Sequence, residues 1–189
     1  MTNYPFSSLE ELRDVQSINQ FEEMKSKGEV QDFEEVREYV RFWSRDNART
    51  PMQWNSGENG GFTEGEPWIN VNPNKDRINV ENEKTKENSV LNFYRKLISL
   101  RKEHEVLVYG KYRLILGEDE NIFAFLREGS EETSLTVLNF SNEESIFNPG
   151  KELNHDTGEL LLANYSMDEP EEAAPSTLRP YEARLYLLD

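Results

Sequence analysis

Residues 89–107 read SVLNFYRKLISLRKEHEVL, and after Gly110 the chain continues as KYRLIL. In the first stretch, apolar side chains recur at the spacing of one helical face, at Val90, Leu91, Tyr94, Leu97 and Ile98. The second stretch alternates between polar and apolar side chains, as a half-buried strand does. The period therefore changes near Gly110, and the sequence predicts an α+β fold with a helix over residues 89–104.

Short apolar runs separated by Gly, Asn, Asp, Glu and Pro follow this helix: KYRLIL, NIFAFLR, SLTVLNF, ESIFN, GELLLAN and YEARLYLLD. Six or seven antiparallel strands with turns between them are typical of a small β-sandwich or Greek-key domain, which we assign to residues 105–189. The acidic turns GEDEN, EGSEET and DEPEEAAP keep such a sheet soluble and protect its edges.

Two amphipathic patterns lie in the first forty residues, before and after Gly28. A basic last turn followed by glycine is a common helix end, so we expect a pair of short helices here. From Ser44 to Lys86 the periodicity is absent, and glycine, proline and aromatic residues replace it. We expect a long loop without regular structure, of a kind that more often carries function than not.

The composition restricts the function. The 189 residues contain 37 acidic and 21 basic side chains, a formal net charge of −16, which argues against a nucleic-acid partner. Cysteine is absent and only His104 and His155 could supply imidazole, so we expect no metal site and no cofactor. We interpret His104 as a charge at a helix end and His155 as a turn residue. No stretch has the length of a membrane span or the pattern of a signal peptide, and we expect a cytoplasmic protein.

The densest group of functional side chains is SRDNARTPMQWN, residues 44–55, where Arg45 and Arg49 bracket Asp46. Two guanidiniums near a carboxylate can form a rigid corner whose spare N–H groups bind a hydroxyl-rich ligand. An Arg–Asp bridge that only pins the loop is the alternative. Trp54 could stack on a sugar ring or fill a small core within the loop. The residues alone leave both choices open.

Four segments together resemble one family: RDNARTPMQW, GGFTEGEPWINVNPN, SVLNFYRKLISLRKEHEVLVYG and LRPYEARLYLL. They are similar, in the same order, to the C-terminal third of oligo-1,6-glucosidases, dextran glucosidases and related α-glucosidases of the α-amylase superfamily. The resemblance implies a (β/α)₈ barrel enzyme that retains the anomeric configuration, using an Asp nucleophile and a Glu acid/base, followed by an antiparallel β-sandwich. Residues 1–104 would then be the end of the barrel and its last helix.

Carried onto this chain, the resemblance makes Arg45 the arginine that hydrogen-bonds the terminal glucose and Arg49 its neighbour in the pocket. Asp46 would orient them, and Trp54 is a further supporting candidate. The family's catalytic carboxylates precede the region that this chain resembles, and His155–Asp156 lies where the family has no catalytic residue. No catalytic residue is therefore assigned, and we expect a glucosidase fragment, for short α-1,6-linked gluco-oligosaccharides, that is inactive alone.

An oligosaccharide-binding or accessory module that docks onto a separate barrel is the alternative. In either case the apolar face of the 89–104 helix needs a cover, from the missing barrel or from self-association.

Overall fold

A computed structural model describes residues 2–154, 158–166 and 176–188. The chain forms two compact units, residues 1–91 and 92–189. It combines helices with antiparallel sheets, which confirms the α+β class. His155 and Asp156 and the acidic turn at residues 168–175 lie outside the described residues.

The first part of the first unit contains a pair of short α-helices, as predicted. Helix α1, Val15–Ser26, begins at Asp14, whose side chain accepts the N–H of Gln16, and Gly28 follows the helix with a φ of +74°. Helix α2, Arg37–Trp43, is preceded by the 3₁₀ turn Phe33–Glu35. The apolar faces meet in a small core built from Phe6, Leu12 and Val40, with Tyr4, Leu9, Ile18, Phe33 and Val36 around it.

The segment after α2 is more regular than the sequence predicts. It contains the 3₁₀ turns Arg45–Arg49, Glu58–Gly61 and Pro73–Asp76, and a short α-helix, α3, at Val80–Thr85. The expectation of a loop without regular structure is therefore wrong for α3. Asn79 caps this helix by accepting the N–H of Asn82 at 2.8 Å. A six-residue helix specified by its cap and one apolar residue leaves no apolar period to detect.

The predicted long helix is α4, Val90–Glu103, followed by the short helix α5, Val106–Tyr109. One side of α4 packs in a cluster around Val106, Leu107 and Leu185, to which Leu97 and Leu100 contribute. Another side is exposed, with apolar residues one turn apart: Val90, Tyr94 and Ile98. The apolar stripe read from the sequence is thus divided between a packed part and an uncovered part.

The described residues after α5 form seven strands and a 3₁₀ turn at Gly150–Glu152. The strands are β1 Lys111–Ile115, β2 Ile122–Glu128, β3 Thr133–Asn139, β4 Ser145–Phe147, β5 Gly158–Ala163, β6 Ser176–Leu178 and β7 Ala183–Leu188. Five form an antiparallel sheet in the order β1-β2-β3-β7-β5, and β4 pairs with β6. Phe147 of β4 and Leu178 of β6 share one hydrophobic core with residues of the larger sheet, such as Leu135 and Tyr186. Strand β6 is the one that the quoted apolar runs do not include.

Candidate functional site

The carboxylate of Asp46 is the centre of the candidate site in residues 44–55. Its side chain is fully buried, and Oδ2 accepts the backbone N–H groups of Arg13 at 2.6 Å and Asp14 at 2.9 Å. The other oxygen, Oδ1, is buried without a hydrogen-bond partner among the described residues and lies 3.8 Å from Nη1 of Arg49. Asp46 therefore fixes this segment to the start of α1 more directly than it pairs with an arginine.

Asp14 holds the same two segments from the opposite side. Its buried carboxylate caps α1, and its Oδ2 accepts the backbone N–H of Arg45 at 3.0 Å and the hydroxyl of Ser17 at 2.8 Å. Burial alone would raise the pKa of Asp14, but the hydrogen bonds from Arg45, Ser17 and Gln16 outweigh it, so this pKa lies below its ordinary value. The carboxylate is therefore kept ionised as an acceptor.

Arg45 and Arg49 differ in how their guanidinium groups are used. Both side chains are exposed and lie on the 3₁₀ turn Arg45–Arg49, which Ser44 caps by accepting the N–H of Asp46. Arg49 is within ion-pair distance of Asp46. The guanidinium of Arg45 has no hydrogen bond or ion pair to any part of the chain that the structure describes. Its N–H donors are therefore available, on a backbone that is held in place.

Asn47 within this turn and Gln53 after it extend the rigid base of the site. Asn47 accepts the N–H of Tyr4 at 2.9 Å and donates to the carbonyl of Arg41. Gln53 is almost fully buried and donates to Asn74 at 3.1 Å and to the carbonyl of Ile78. A segment without a long helix or a sheet is thus held by hydrogen bonds of side-chain amides, of which that of Gln53 is buried.

Trp54 is placed by a glycine turn. Its backbone N–H donates to the carbonyl of Gly60 at 2.7 Å, and its own carbonyl accepts the N–H of Glu81. Gly60 and Gly61 have φ values of +63° and +68°, which glycine adopts without steric cost. The indole of Trp54 is half exposed, so it is not the core of the loop and presents ring surface to solvent. That surface suits stacking on the C–H face of a sugar.

Three further aromatic side chains are exposed just before Arg45. Trp43 lies 4.9 Å from Phe42 and 6.5 Å from Tyr39, measured between ring centroids, and each of the three is more than half exposed. Trp68 and Phe62 are similarly exposed later in the unit. These aromatic side chains are therefore not part of the small core of the unit, and their rings are accessible to a ligand or partner.

The structure brings the predicted residues Arg45, Asp46 and Arg49 together on one short turn, and it adds Asp14, which the sequence interpretation missed. The signal available for Asp14 was its position directly before the amphipathic pattern of α1, where an aspartate is a frequent N-cap. Its second role, as acceptor for Arg45, joins residues far apart in the chain and leaves no local pattern.

The other expectations concern metals, membranes and histidines. Within residues 2–154, 158–166 and 176–188 no three metal-binding side chains cluster, and no helix could cross a membrane. His104 lies just after α4 with Nδ1 3.2 Å from Oε1 of Glu132, so it has a carboxylate partner as well as a helix end.

The sequence and structure of this chain are similar to those of proteins of the α-amylase family. A family profile described as "Alpha amylase, catalytic domain" matches residues 6–110. The Oligo-1,6-glucosidase of Parageobacillus thermoglucosidasius is 46% identical over 187 residues, which are 98% of this chain and 33% of the relative. The chain thus spans about a third of the length of the curated relatives it matches.

Solved structures of enzymes are also similar to this chain. The crystal structure of Bacillus licheniformis trehalose-6-phosphate hydrolase superposes with a TM-score of 0.88 at 37% sequence identity, covering 100% of this chain and 34% of that one. Isomaltulose synthase from Klebsiella sp. LX3 superposes with a TM-score of 0.85 at 36% identity and the same coverage.

Proposed function

This chain belongs to the α-amylase family, and from that membership we propose that it is the carboxyl-terminal third of a retaining α-glucosidase. The substrates proposed are short gluco-oligosaccharides with α-1,6 linkages. The observation that carries the proposal is the exposed Arg45 guanidinium on a backbone that Asp14 and Asp46 hold from both sides. Because this backbone is already ordered, only the Arg45 side chain has to be ordered when a ligand binds.

Under this proposal Arg45 donates hydrogen bonds to hydroxyl groups of the terminal glucose. The planar guanidinium carries five N–H donors in fixed directions, which suits two neighbouring hydroxyls better than a lysine ammonium does. Arg49, tied to Asp46, lines the same pocket, and Trp54 packs its ring on a sugar face. These contacts select a chain end over the middle of a chain, because an internal glucose presents a substituted oxygen at the same place.

The proposal gives this chain no catalytic residue. Retaining glycosidases use two carboxyl groups about 5 Å apart, one as nucleophile and one as acid/base. We propose that both lie in the part of the longer relatives that residues 1–189 do not match. The chain alone is then a binding surface without hydrolytic activity.

The test is an NMR titration of the whole chain with isomaltose, in which the chemical shift of the Trp54 indole N–H is monitored. We expect a saturable shift in the wild type and none in Arg45→Ala. Arg95→Ala is the matched control, because this exposed arginine on α4 contacts Asn92 and lies outside the site. No shift in the wild type at tens of millimolar isomaltose would reject the binding role, and an undiminished shift in Arg45→Ala would reject the role of Arg45.

A second candidate is an accessory module that completes a separately made barrel. The observation that favours it is the uncovered apolar face of α4, with Tyr94 60% and Ile98 50% exposed. Co-expression with the remaining two thirds of an oligo-1,6-glucosidase should then give α-glucosidase activity. Tyr94→Lys/Ile98→Glu should abolish this complementation. Complementation that the double variant leaves intact would exclude this face as the contact.

A further inference from the structure

The side chain of Asp14, which lies outside the predicted site, accepts more hydrogen bonds than a helix cap needs. Its Oδ1 accepts the N–H of Gln16 at 3.2 Å, which is the ordinary capping contact. Its Oδ2 accepts three other donors: the hydroxyl of Ser17 at 2.8 Å, the backbone N–H of Arg45 at 3.0 Å and the hydroxyl of Ser44 at 3.4 Å. The carboxylate is 4% exposed, so water does not compete for these contacts.

The contacts of Asp46 run in the reverse direction. Its Oδ2 accepts the backbone N–H groups of Arg13 and Asp14, while Asp14 accepts the backbone N–H of Arg45. Each carboxylate therefore holds the backbone of the segment that carries the other. Such a reciprocal pair fixes the separation and direction of both segments, since neither can rotate without losing hydrogen bonds on both sides.

The position of Arg45 follows from this arrangement. Its N–H is bound by Asp14, and the next residue, Asp46, is fully buried, so two consecutive residues of the backbone are anchored. The side chain of Arg45 remains exposed. Asp14 and Asp46 thus fix the backbone from which the Arg45 side chain extends, whereas the guanidinium itself makes no hydrogen bond or ion pair with the described residues.

We propose that Asp14 is the positioning residue for Arg45, holding the backbone of the sugar-binding arginine in its ligand-ready conformation. The sugar-binding part of this inference rests on the proposed function. Asp14 itself contacts no ligand and acts only through Arg45. The role is distinct from capping, because Oδ1 accepts the capping N–H of Gln16 whereas Oδ2 accepts the N–H of Arg45.

The variant Asp14→Asn separates these tasks. Asparagine is as good an N-cap as aspartate, so the amide oxygen can still accept the N–H of Gln16. The amide NH₂ group then replaces Oδ2 and faces the donors Arg45, Ser17 and Ser44, to which it offers no acceptor. Asp32→Asn is the matched control, because Asp32 caps the turn Phe33–Glu35 and its side chain binds Glu34 N–H, away from Arg45.

The experiment compares amide hydrogen exchange across the whole chain and the isomaltose affinity of each variant. In Asp14→Asn we expect the Arg45 amide to exchange at least about tenfold faster, as loss of a hydrogen bond to a charged acceptor predicts. We expect amides within α1 to change less than about twofold, since the cap is kept. Isomaltose affinity should fall by about tenfold. Asp32→Asn should leave both the Arg45 amide and the affinity at the wild-type values.

Each outcome decides the proposal. An Arg45 amide as protected in Asp14→Asn as in the wild type overturns it. Equal acceleration at Arg45 and throughout α1 also overturns it, because that pattern shows general unfolding. If Asp14→Asn does not fold, Asp14→Ser gives the same comparison, since serine keeps the cap but is too short to reach Arg45 as well. If the wild type binds no isomaltose, the proposed function fails, whereas the exchange of Arg45 still decides whether Asp14 positions it.

Discussion

Glu182 and Arg184 form an ion pair in which neither side chain is accessible to solvent. Nε of Arg184 donates to Oε1 of Glu182 at 3.0 Å, and Arg179 donates to the same oxygen at 2.8 Å. Arg184 also donates to the carbonyl of Thr177 in β6 at 3.0 Å. The pair therefore connects the start of β7 in the larger sheet to a strand of the smaller one, and the opposite charge offsets the cost of burying each group.

Removing one charge of this pair should be costly. Glu182→Gln keeps the shape of the side chain and leaves Arg184 buried without its counter-charge. We expect the free energy of unfolding to fall by about 3 kcal/mol. Denaturation in urea measures it. Glu159→Gln, an exposed substitution on β5 of the same sheet, is the control and should change stability by less than about 0.5 kcal/mol. Equal losses of unfolding free energy in the two variants would show that the burial of Glu182 does not make its charge more important for stability.

The same pair predicts a pH dependence. Burial alone would raise the pKa of Glu182, but hydrogen bonds from Arg179 and Arg184 outweigh it and lower that pKa from 4.5 to about 2. Because the folded pKa lies below the unfolded one, the stabilisation is complete above about pH 4.5 and is lost as pH falls towards 2. At about 1.4 kcal/mol per pKa unit, the total is about 3 kcal/mol.

Unfolding free energies of the wild type and Glu182→Gln, measured from pH 7 to pH 2, test this. The difference between the two proteins should be constant above pH 5 and should shrink below it. A difference that is independent of pH down to 2 would show that Glu182 titrates alike in the folded and unfolded chains.

Two glycines with positive φ should respond differently to alanine. Gly28 has φ +74° and open space where a Cβ would lie, whereas a Cβ on Gly61 would lie 2.5 Å from Nδ2 of Asn55. Asn55 cannot move freely, because its Oδ1 accepts the N–H of Gly57 at 2.9 Å. We expect Gly28→Ala to cost about 1 kcal/mol for the backbone alone and Gly61→Ala to cost at least about 1 kcal/mol more.

Urea denaturation of a double-mutant cycle distinguishes these contributions. In the background of Asn55→Ala, the cost of Gly61→Ala should fall to that of Gly28→Ala, since the clash is gone and the positive φ remains. An unchanged cost in that background would mean that Asn55 is not the obstacle.

Substitutions on the two sides of α4 should differ in their effect on the free energy of unfolding. Tyr94→Lys/Ile98→Glu changes exposed positions and should alter the free energy of unfolding by less than about 1 kcal/mol. Leu97→Ala removes a packed side chain and should lower the free energy of unfolding by about 2 kcal/mol.

Because an uncovered apolar face favours association, sedimentation of the wild type should depend on concentration, and that of the double variant Tyr94→Lys/Ile98→Glu should not. Equal self-association of the two proteins would show that another surface is responsible.

The sequence predicts the helices and strands that are long enough to repeat their hydrophobic pattern. Helix α4 and strands such as β2 and β3 have repeated apolar positions, and their predictions are confirmed. Helix α3 has one apolar residue and depends on the cap Asn79, so it is missed. The three-residue strand β6 is specified by its pairing with β4, which is a property of the fold and not of the local sequence.

The residues of the candidate site also differ in whether the sequence predicts them. Arg45, Asp46 and Arg49 are adjacent in the chain, so their proximity follows from the sequence. Asp14 is one of 37 acidic residues, and its hydrogen bond to Arg45 joins positions 31 residues apart. Only the folded backbone brings these two together, and no spacing rule selects that pair among so many carboxylates.

The order of strands in the larger sheet has a consequence for how this unit forms during synthesis. Strand β7 lies between β3 and β5, although it follows both along the chain. Until it emerges from the ribosome, β3 and β5 each have an unpaired edge on the side that β7 later occupies, and the core around Leu135 and Tyr186 cannot close. Folding of this unit therefore waits until β7 has been synthesised, because the most distant pairings in its sheet become available only then.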